Sequence, residues 1–501
     1  MLIQCEFKPG EIYNSVHELI RMAYPGCEII SEGSMAAKKP ASCFISIEAK
    51  KSSPGFNEVF LRGKISDGQK ETAISKNFAL NVPLEARSNE AKRLTQVFTY
   101  KLLSQHLEKN INDYGILTGV RPVKLVHRYL DQGYNPDKIR LKLQEKYLLK
   151  EEKARLLLEI AGNNRPFLLT PEAVGKEISI YIGIPYCPSR CYYCSFPGAV
   201  LKDYKTDIIP FLTSLNQEMR VIGDYLKQQG ITVQSIYIGG GTPTVLSEAD
   251  LTRLFAVLHN QFISAATAEI TVEAGRPDTL SLSKLKTLKD AGVTRICINP
   301  QTMHDSTLKI IGRNHDQKGV VQSVEWAREA DIEKINMDLI VGLPGETIRE
   351  NTHTAEEILK LKPENITIHT LAVKRGSLMA EIESKSSTAS RVEEVQKGVD
   401  FFSSHLRKAG YSPYYLYRQK YMRANMENIG YTLPKGSCIY NIQMIEERQT
   451  IIGMGGGAAS KFVNPLSWTL SSFYNPKNPQ SYNESVEKLI KSKVDKLNAL
   501  N

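Results

Sequence analysis

From about Ile178 onward, short apolar runs rich in β-branched residues alternate with longer stretches whose apolar residues recur at helical spacing. The runs are SIYIGI at 179–184, SIYIGG at 235–240, EITVEA at 269–274, RICINP at 295–300, KINMDLI at 334–340 and NITIHTL at 365–371. A run with so few polar residues predicts a strand covered on both faces. The intervening ADLTRLFAVLHNQF at 249–262 and LSLSKLKTLKDAG at 280–292 predict amphipathic helices. Repeated strand–helix units at this spacing predict an α/β fold with a parallel sheet, either open and doubly wound or curled into a barrel.

The flanks read differently. CFISIEA at 43–49 and EVFLRGKI at 58–65 alternate, and NEAKRLTQVFTYKLLSQHL at 89–107 has a helical pattern. These predict an N-terminal α/β domain over 1–170, ahead of a βα region over 171–385. A smaller C-terminal domain is expected over 386–501, beginning with the amphipathic VEEVQKGVDFFSSHLRKAG and carrying a Gly-rich turn at 453–457.

Composition sets bounds on this picture. A chain of 501 residues exceeds what one core usually serves, and 42% apolar with 24% charged residues is ordinary for a soluble globular protein. The start, Met1-Leu2-Ile3-Gln4-Cys5-Glu6-Phe7, lacks a basic segment followed by an apolar one. No stretch of about 18 apolar residues occurs, so neither export nor a membrane span is expected and the chain reads as cytoplasmic. The net charge of +10 has no dominant Lys/Arg block and reads as a solvated surface, not a nucleic-acid footprint. The basic ILTGVRPVKLVHRYL at 116–130 could touch phosphate, but helix capping and packing explain it equally well. Eight cysteines are too sparse for a disulfide scaffold, and three of them fall within eight positions, which points to a reducing compartment and a metal.

Those three stand in Tyr181-Ile-Gly-Ile-Pro-Tyr-Cys187-Pro-Ser-Arg-Cys191-Tyr-Tyr-Cys194, directly after the first predicted strand. Three thiolates on one loop can hold three irons of a cubane cluster, since thiolate is the soft ligand such clusters take. With no fourth thiol nearby, one iron stays open to chelate a small molecule such as S-adenosylmethionine. The rival is a structural zinc, which needs four ligands and usually shows paired C-x2-C spacings; no second pair follows here. Cys5, Cys27, Cys43, Cys297 and Cys438 are expected to be structural.

Gly239-Gly240-Gly241-Thr242-Pro243-Thr244 ends the second run, where consecutive glycines let a ligand approach the backbone. Glu273 ends the third run, Gln301 follows the fourth, Asp338 lies in the fifth and Ala372 follows the sixth. Each alone is a cap, packing or surface residue. Together they stand at the carboxyl ends of successive strands, where parallel βα barrels build their sites. Gly453-Met-Gly455-Gly-Gly-Ala458 fits a dinucleotide fingerprint by spacing but not by context, and reads as a tight bend facing the active site.

These residues resemble the radical S-adenosylmethionine enzymes of the oxygen-independent coproporphyrinogen III oxidase (coproporphyrinogen dehydrogenase) group. C-x3-C-x2-C, GGGTPT, EITVEA, the NPQ turn with GRNHD, and INMDLIVGLPGET carry the resemblance over roughly 175–380. It implies a partial (β/α)6 barrel and a [4Fe–4S] cluster on Cys187, Cys191 and Cys194. It also implies one S-adenosylmethionine on the cluster, touched by Tyr181, Gly240 and Glu273. A second beside it would be touched by Tyr193, Gly241, Thr242, Gln301, Arg313, Asp338 and Ala372. The implied activity is oxidative decarboxylation of coproporphyrinogen III to protoporphyrinogen IX by a 5′-deoxyadenosyl radical, in haem biosynthesis. The implied partners are a tetrapyrrole substrate and a reduced flavodoxin- or ferredoxin-type electron donor. Lys374, Arg375 and Arg418 are candidate partners for its propionates. The sequence departs from the family at Phe196, where a further Cys is common, and at Gly183-Ile184-Pro185, where His-Ile-Pro is. A haem-handling chaperone branch of the same family typically carries His-Asn-x-x-Tyr-Trp, against Tyr440-Asn441-Ile442-Gln443-Met444-Ile445 here. A radical enzyme acting on another substrate is the third reading.

Overall fold

The computed structural model describes residues 1–31, 41–51, 57–194, 198–373, 378–379, 392–419 and 422–499. Phe196, Lys374 and Arg375 lie outside the described residues. Two compact units divide the chain, Met1–Leu158 and Glu159–Asn501.

In the first unit, alternation of apolar and polar residues builds a sheet with one buried face. Its order is Glu28–Ser31, Leu2–Lys8, Cys43–Lys51, Glu58–Ser66, Glu71–Ala79. Leu2–Lys8 pairs in parallel with both neighbours, and the last three strands form antiparallel hairpins. Along Glu58–Ser66, Val59, Leu61 and Ile65 are buried while Glu58, Phe60, Arg62 and Lys64 face out. Helices Ile12–Ala23 and Arg87–Leu107 contribute Val16, Leu19, Ile20, Leu94, Phe98 and Leu102 to the same apolar core. Cys5, Cys27 and Cys43 belong to that core.

The second unit holds a sheet of eleven strands, six of which are the predicted runs. They form consecutive parallel neighbours: Glu177–Ile184, Thr232–Gly240, Glu269–Glu273, Arg295–Cys297, Lys334–Val341 and Asn365–Thr370. This is the partial (β/α)6 barrel expected from the sequence. Five connecting helices start on side chains that cap exposed amide groups: Asp203, Ser247, Ser281, Asp316 and Thr347. Each such cap is worth about 1 kcal/mol.

Both open sides of the barrel are continued by C-terminal strands. Asn428–Thr432 runs antiparallel beside the sixth barrel strand and carries Ser412–Tyr417 on its far side. Ile451–Gly455 runs parallel to the first, followed by Ala459–Val463 and Leu470–Tyr474. The glycines at 453 and 455 are therefore strand residues in register with Tyr181 and Gly183, and the turn begins at Gly456. The expected tight bend is made by Gly456 and Gly457, but the glycines at 453 and 455 pack on the first strand, and none of these residues lines the cavity described below.

The helices bury the outward apolar residues, such as Ile180, Ile236, Val272, Ile296, Met337 and Ile366. The inward residues are polar and pair across strands. Ser179 and Ser235 hydroxyls lie 2.7 Å apart, Arg295 is ion-paired with Glu269 at 3.2 Å, and the Thr367 hydroxyl donates to Asn336 Oδ1 at 3.3 Å. Arg295 also reaches Asn365, closing the amino end of the barrel with a buried polar plug. Among the described residues no helix is long and apolar enough to cross a membrane.

Candidate functional site

At the carboxyl ends of the barrel strands one cavity opens. Its lining includes Tyr181, Cys187, Cys191, Tyr193, Cys194, Gly240, Gly241, Thr242, Glu273, Gln301, Arg313, Asp338 and Ala372. Every residue singled out as a cluster or cofactor position from the sequence therefore borders the same space.

The cysteine loop is pinned at its start by the pairing of Tyr186 with Ala199 and Cys187 with Val200. The Gly-rich end of the second strand backs it. Gly240 has φ +110°, a conformation that residues with a Cβ rarely adopt. A Cβ on Gly241 would sit 2.5 Å from the Tyr186 carbonyl oxygen and 3.0 Å from Cys187 Sγ. The glycines thus let this strand end press directly against the thiol. The neighbouring Thr242 hydroxyl donates to Cys187 Sγ at 3.6 Å, and Arg276 Nη1 donates to Cys191 Sγ at 3.4 Å.

These features fit a thiolate-bound iron–sulfur cluster. Three sulfurs line the cavity, and two already receive hydrogen bonds of the kind that stabilise anionic sulfur. Among the described residues no three His, Cys, Asp or Glu side chains converge as ligands of a single ion would. A cubane, which takes each thiolate on a different iron, does not require that convergence.

Two carboxylates face the cavity with opposite tendencies. Burial, reinforced by the nearby Asp338, pushes the Glu273 carboxyl up to about 7, although the Tyr237 hydroxyl at 2.6 Å and the Gly240 amide at 3.3 Å donate to it. Burial also acts on Asp338, but hydrogen bonds and charge from His369, Asn336 and Thr367 outweigh it and hold that carboxyl below the usual range. Asn336 Nδ2 is 2.8 Å from Asp338 Oδ1, and His369 Nε2 is 3.7 Å from Oδ2. One site thus holds two carboxyl groups whose surroundings push them in opposite directions, Glu273 toward the neutral form and Asp338 toward the ionised one.

Gln301 holds φ +70° and is locked there by bridging Leu339, donating to the Asp338 carbonyl at 3.0 Å and accepting from the Ile340 amide at 2.9 Å. A left-handed non-glycine residue is uncommon and marks a backbone fixed by its surroundings. Arg313 is buried. Its Nη2 donates to the Tyr193 hydroxyl at 2.8 Å and its Nη1 to the Gly275 carbonyl at 2.6 Å, tying the cysteine loop to the segment after the third strand.

The cavity is completed by residues that sequence reading missed: Arg276, Asn299, His369, Tyr417 and Asn428. Asn365, Thr367 and His369 alternate along the sixth strand, a signal that could have nominated His369. Tyr417 and Asn428 come from the antiparallel extension, with the Tyr417 hydroxyl 3.3 Å from His369 Nδ1. Arg418, a candidate propionate partner, is placed differently. Its neighbours Tyr417 and Gln419 line the cavity, while Arg418 is buried and donates through Nη2 to the Asn425 carbonyl at 2.9 Å. Cys297 and Cys438 are buried, the latter donating to Glu269 at 3.1 Å.

Comparison with known proteins agrees with this geometry. The radical SAM superfamily profile matches residues 181–358. The oxygen-independent coproporphyrinogen-III oxidase-like protein HemZ of Bacillus subtilis (strain 168) is 37% identical over 484 residues, covering 96% of this chain and 95% of the relative. The heme chaperone HemW of the same bacterium is 39% identical over 208 residues, 41% of this chain and 54% of the relative. In structure, the chain resembles coproporphyrinogen III oxidase (HemN) from Escherichia coli, a radical SAM enzyme. The TM-score is 0.53 at 23% identity, over 64% of this chain and 72% of that one. With a radical SAM barrel, its thiols gathered in one cavity and a relative matched along nearly its whole length, the chain belongs to the oxygen-independent coproporphyrinogen-III oxidase-like family of radical SAM proteins.

Proposed function

We propose that this protein carries out the oxygen-independent oxidative decarboxylation of coproporphyrinogen III to protoporphyrinogen IX. The observation that carries this reading is the single cavity that gathers three thiols and ten further predicted positions at the ends of the parallel strands. The near full-length match to an oxidase-like relative supports it.

In this reading Cys187, Cys191 and Cys194 hold a [4Fe–4S] cluster. When bound, the cluster and S-adenosylmethionine supply one-electron reductive cleavage to a 5′-deoxyadenosyl radical. Tyr181, Gly240 and Glu273 orient the first S-adenosylmethionine. Glu273, held in place by the Tyr237 hydroxyl and the Gly240 amide, would accept an N–H from that molecule's amino group. Tyr193, Gly241, Thr242, Gln301, Arg313, Asp338 and Ala372 form the adjoining place for a second molecule. Each propionate would give up one hydrogen atom to the 5′-deoxyadenosyl radical, one CO2, and one electron to a separate one-electron acceptor, leaving a vinyl group, and two such events complete the conversion. A reduced flavodoxin- or ferredoxin-type protein supplies the electron that starts each cycle.

A second reading, haem delivery, is favoured by the matches to proteins named heme chaperone, which fall on part of the chain. Against it, Tyr440, Ile442 and Gln443 of the segment compared with the chaperone motif are buried in the helix Ile439–Glu446.

The two readings separate in one anaerobic preparation. Incubation with coproporphyrinogen III, S-adenosylmethionine and reductant should give a product lacking two carboxyl groups by mass spectrometry. An intact cluster that cleaves S-adenosylmethionine without any decarboxylation overturns the oxidase reading, and stoichiometric haem binding in that sample installs the chaperone one.

A further inference from the structure

Three residues beyond Glu273, in the loop after the third barrel strand, lies a group the reading above does not use. Arg276 is 3% exposed, and each of its five N–H donors has a partner. Nε donates to Asp278 Oδ1 at 3.0 Å and Nη2 to Asp278 Oδ2 at 2.9 Å, a two-point contact that fixes the plane of the guanidinium. The far edge then faces the cysteine loop. Nη2 donates to the Ser189 hydroxyl at 2.9 Å, and Nη1 is 3.4 Å from both the Ser189 carbonyl oxygen and Cys191 Sγ.

The arrangement is specific to arginine. A lysine ammonium has three donors on a flexible stem and cannot hold a carboxylate on one edge while presenting the other to a sulfur. Asp278 neutralises the charge locally, so a directed N–H dipole is what the sulfur feels most. Hydrogen bonds to ligand sulfurs withdraw electron density and are one of the means by which a protein sets the potential of an iron–sulfur cluster.

We propose that Arg276 is a positioning residue that holds the Cys187–Cys194 loop through Ser189 and raises the reduction potential of the cluster through its N–H bond to Cys191 Sγ. This rests on the cluster reading of the site and is independent of the tetrapyrrole substrate.

The test compares full-length wild type, Arg276→Gln and Arg276→Lys after anaerobic reconstitution. Iron per chain and the cluster midpoint are read by EPR-monitored redox titration, with no substrate present. The expected result is retained iron with the midpoint moved to more negative potential in Arg276→Gln, and a smaller negative move in Arg276→Lys, which keeps the charge but loses the fork. A midpoint unchanged in whichever variant retains iron overturns the proposal. Loss of iron from both variants, with native circular dichroism, also overturns the tuning role and leaves Arg276 as an assembly support alone. Because substrate turnover is never measured, failure of the decarboxylation reading is distinguishable from failure here.

Discussion

The sheets of the two units use the same alternation of side chains for opposite ends. In the N-terminal sheet, Val59, Leu61 and Ile65 point into an apolar core while Glu58, Arg62 and Lys64 meet solvent. In the barrel, helices cover the apolar positions, and the inward face carries Ser179, Tyr181, Tyr237, Glu273, Asp338 and His369. A sheet covered from outside can place polar groups inside, where they pair with one another and face a cavity. A sheet with only one covered face must spend that face on apolar packing. The polar-lined cavity therefore belongs to the barrel, and the described core of the N-terminal unit is apolar.

The largest test of this contrast is Cys191→Ala, which should abolish iron incorporation and S-adenosylmethionine cleavage while leaving the fold intact by circular dichroism. Retained cleavage would falsify the cluster assignment. In the N-terminal core, Leu61→Ala should lower unfolding stability by about 2–5 kcal/mol, the range for a buried leucine truncated to alanine. Iron content at low temperature should stay at the wild-type value; if it fell with stability, the division between a supporting and a chemical sheet would break.

Glu273→Gln sharpens the comparison from the barrel side. The Glu273 carboxyl is raised from 4.5 to about 7 in the folded protein. Between those pH values the folded state keeps a proton that the unfolded chain has released, so stability falls as pH rises and the loss is complete above pH 7. The cost is on the order of 3 kcal/mol. Glutamine removes it, so cluster-free Glu273→Gln should be more stable than wild type to denaturant at pH 8 and similar at pH 4. Equal stabilities at both pH values would contradict the burial of this carboxyl. S-adenosylmethionine binding by the reconstituted variant should nevertheless weaken, the usual conflict between stability and a functional buried charge.

The smallest effect belongs to the exposed face of the N-terminal sheet. Lys64 and Glu71 form an ion pair at 2.8 Å with both side chains roughly half exposed. Lys64→Ala should cost less than about 1 kcal/mol in denaturant unfolding. A larger loss would mean that this face is not simply solvated.

Much of the site was legible because motif and strand end coincide. Glu273, Gln301 and Asp338 could be nominated since each stands where a parallel strand delivers a side chain to the open end of a barrel. Arg276 was passed over because, in a line of sequence, an arginine after a glycine looks like any loop residue. Its significance comes from Asp278 fixing its plane toward Cys191. Arg418 illustrates the reciprocal case: a cationic residue near a site in sequence is buried and donates to the Asn425 carbonyl, a partner that only the fold brings to it.

The sequence by itself determined the six barrel strands, helices between them and the loop that carries three closely spaced cysteines, because these depend on periodicity and on spacing along the chain. Tertiary structure alone decided that the C-terminal strands extend both sides of the barrel sheet, and that Tyr417 and Asn428 join His369 at the cavity wall. It also set the opposed ionisation of Glu273 and Asp338. Register between distant strands, burial and the orientation of a buried guanidinium are properties of neighbours in space, and local pattern does not encode them.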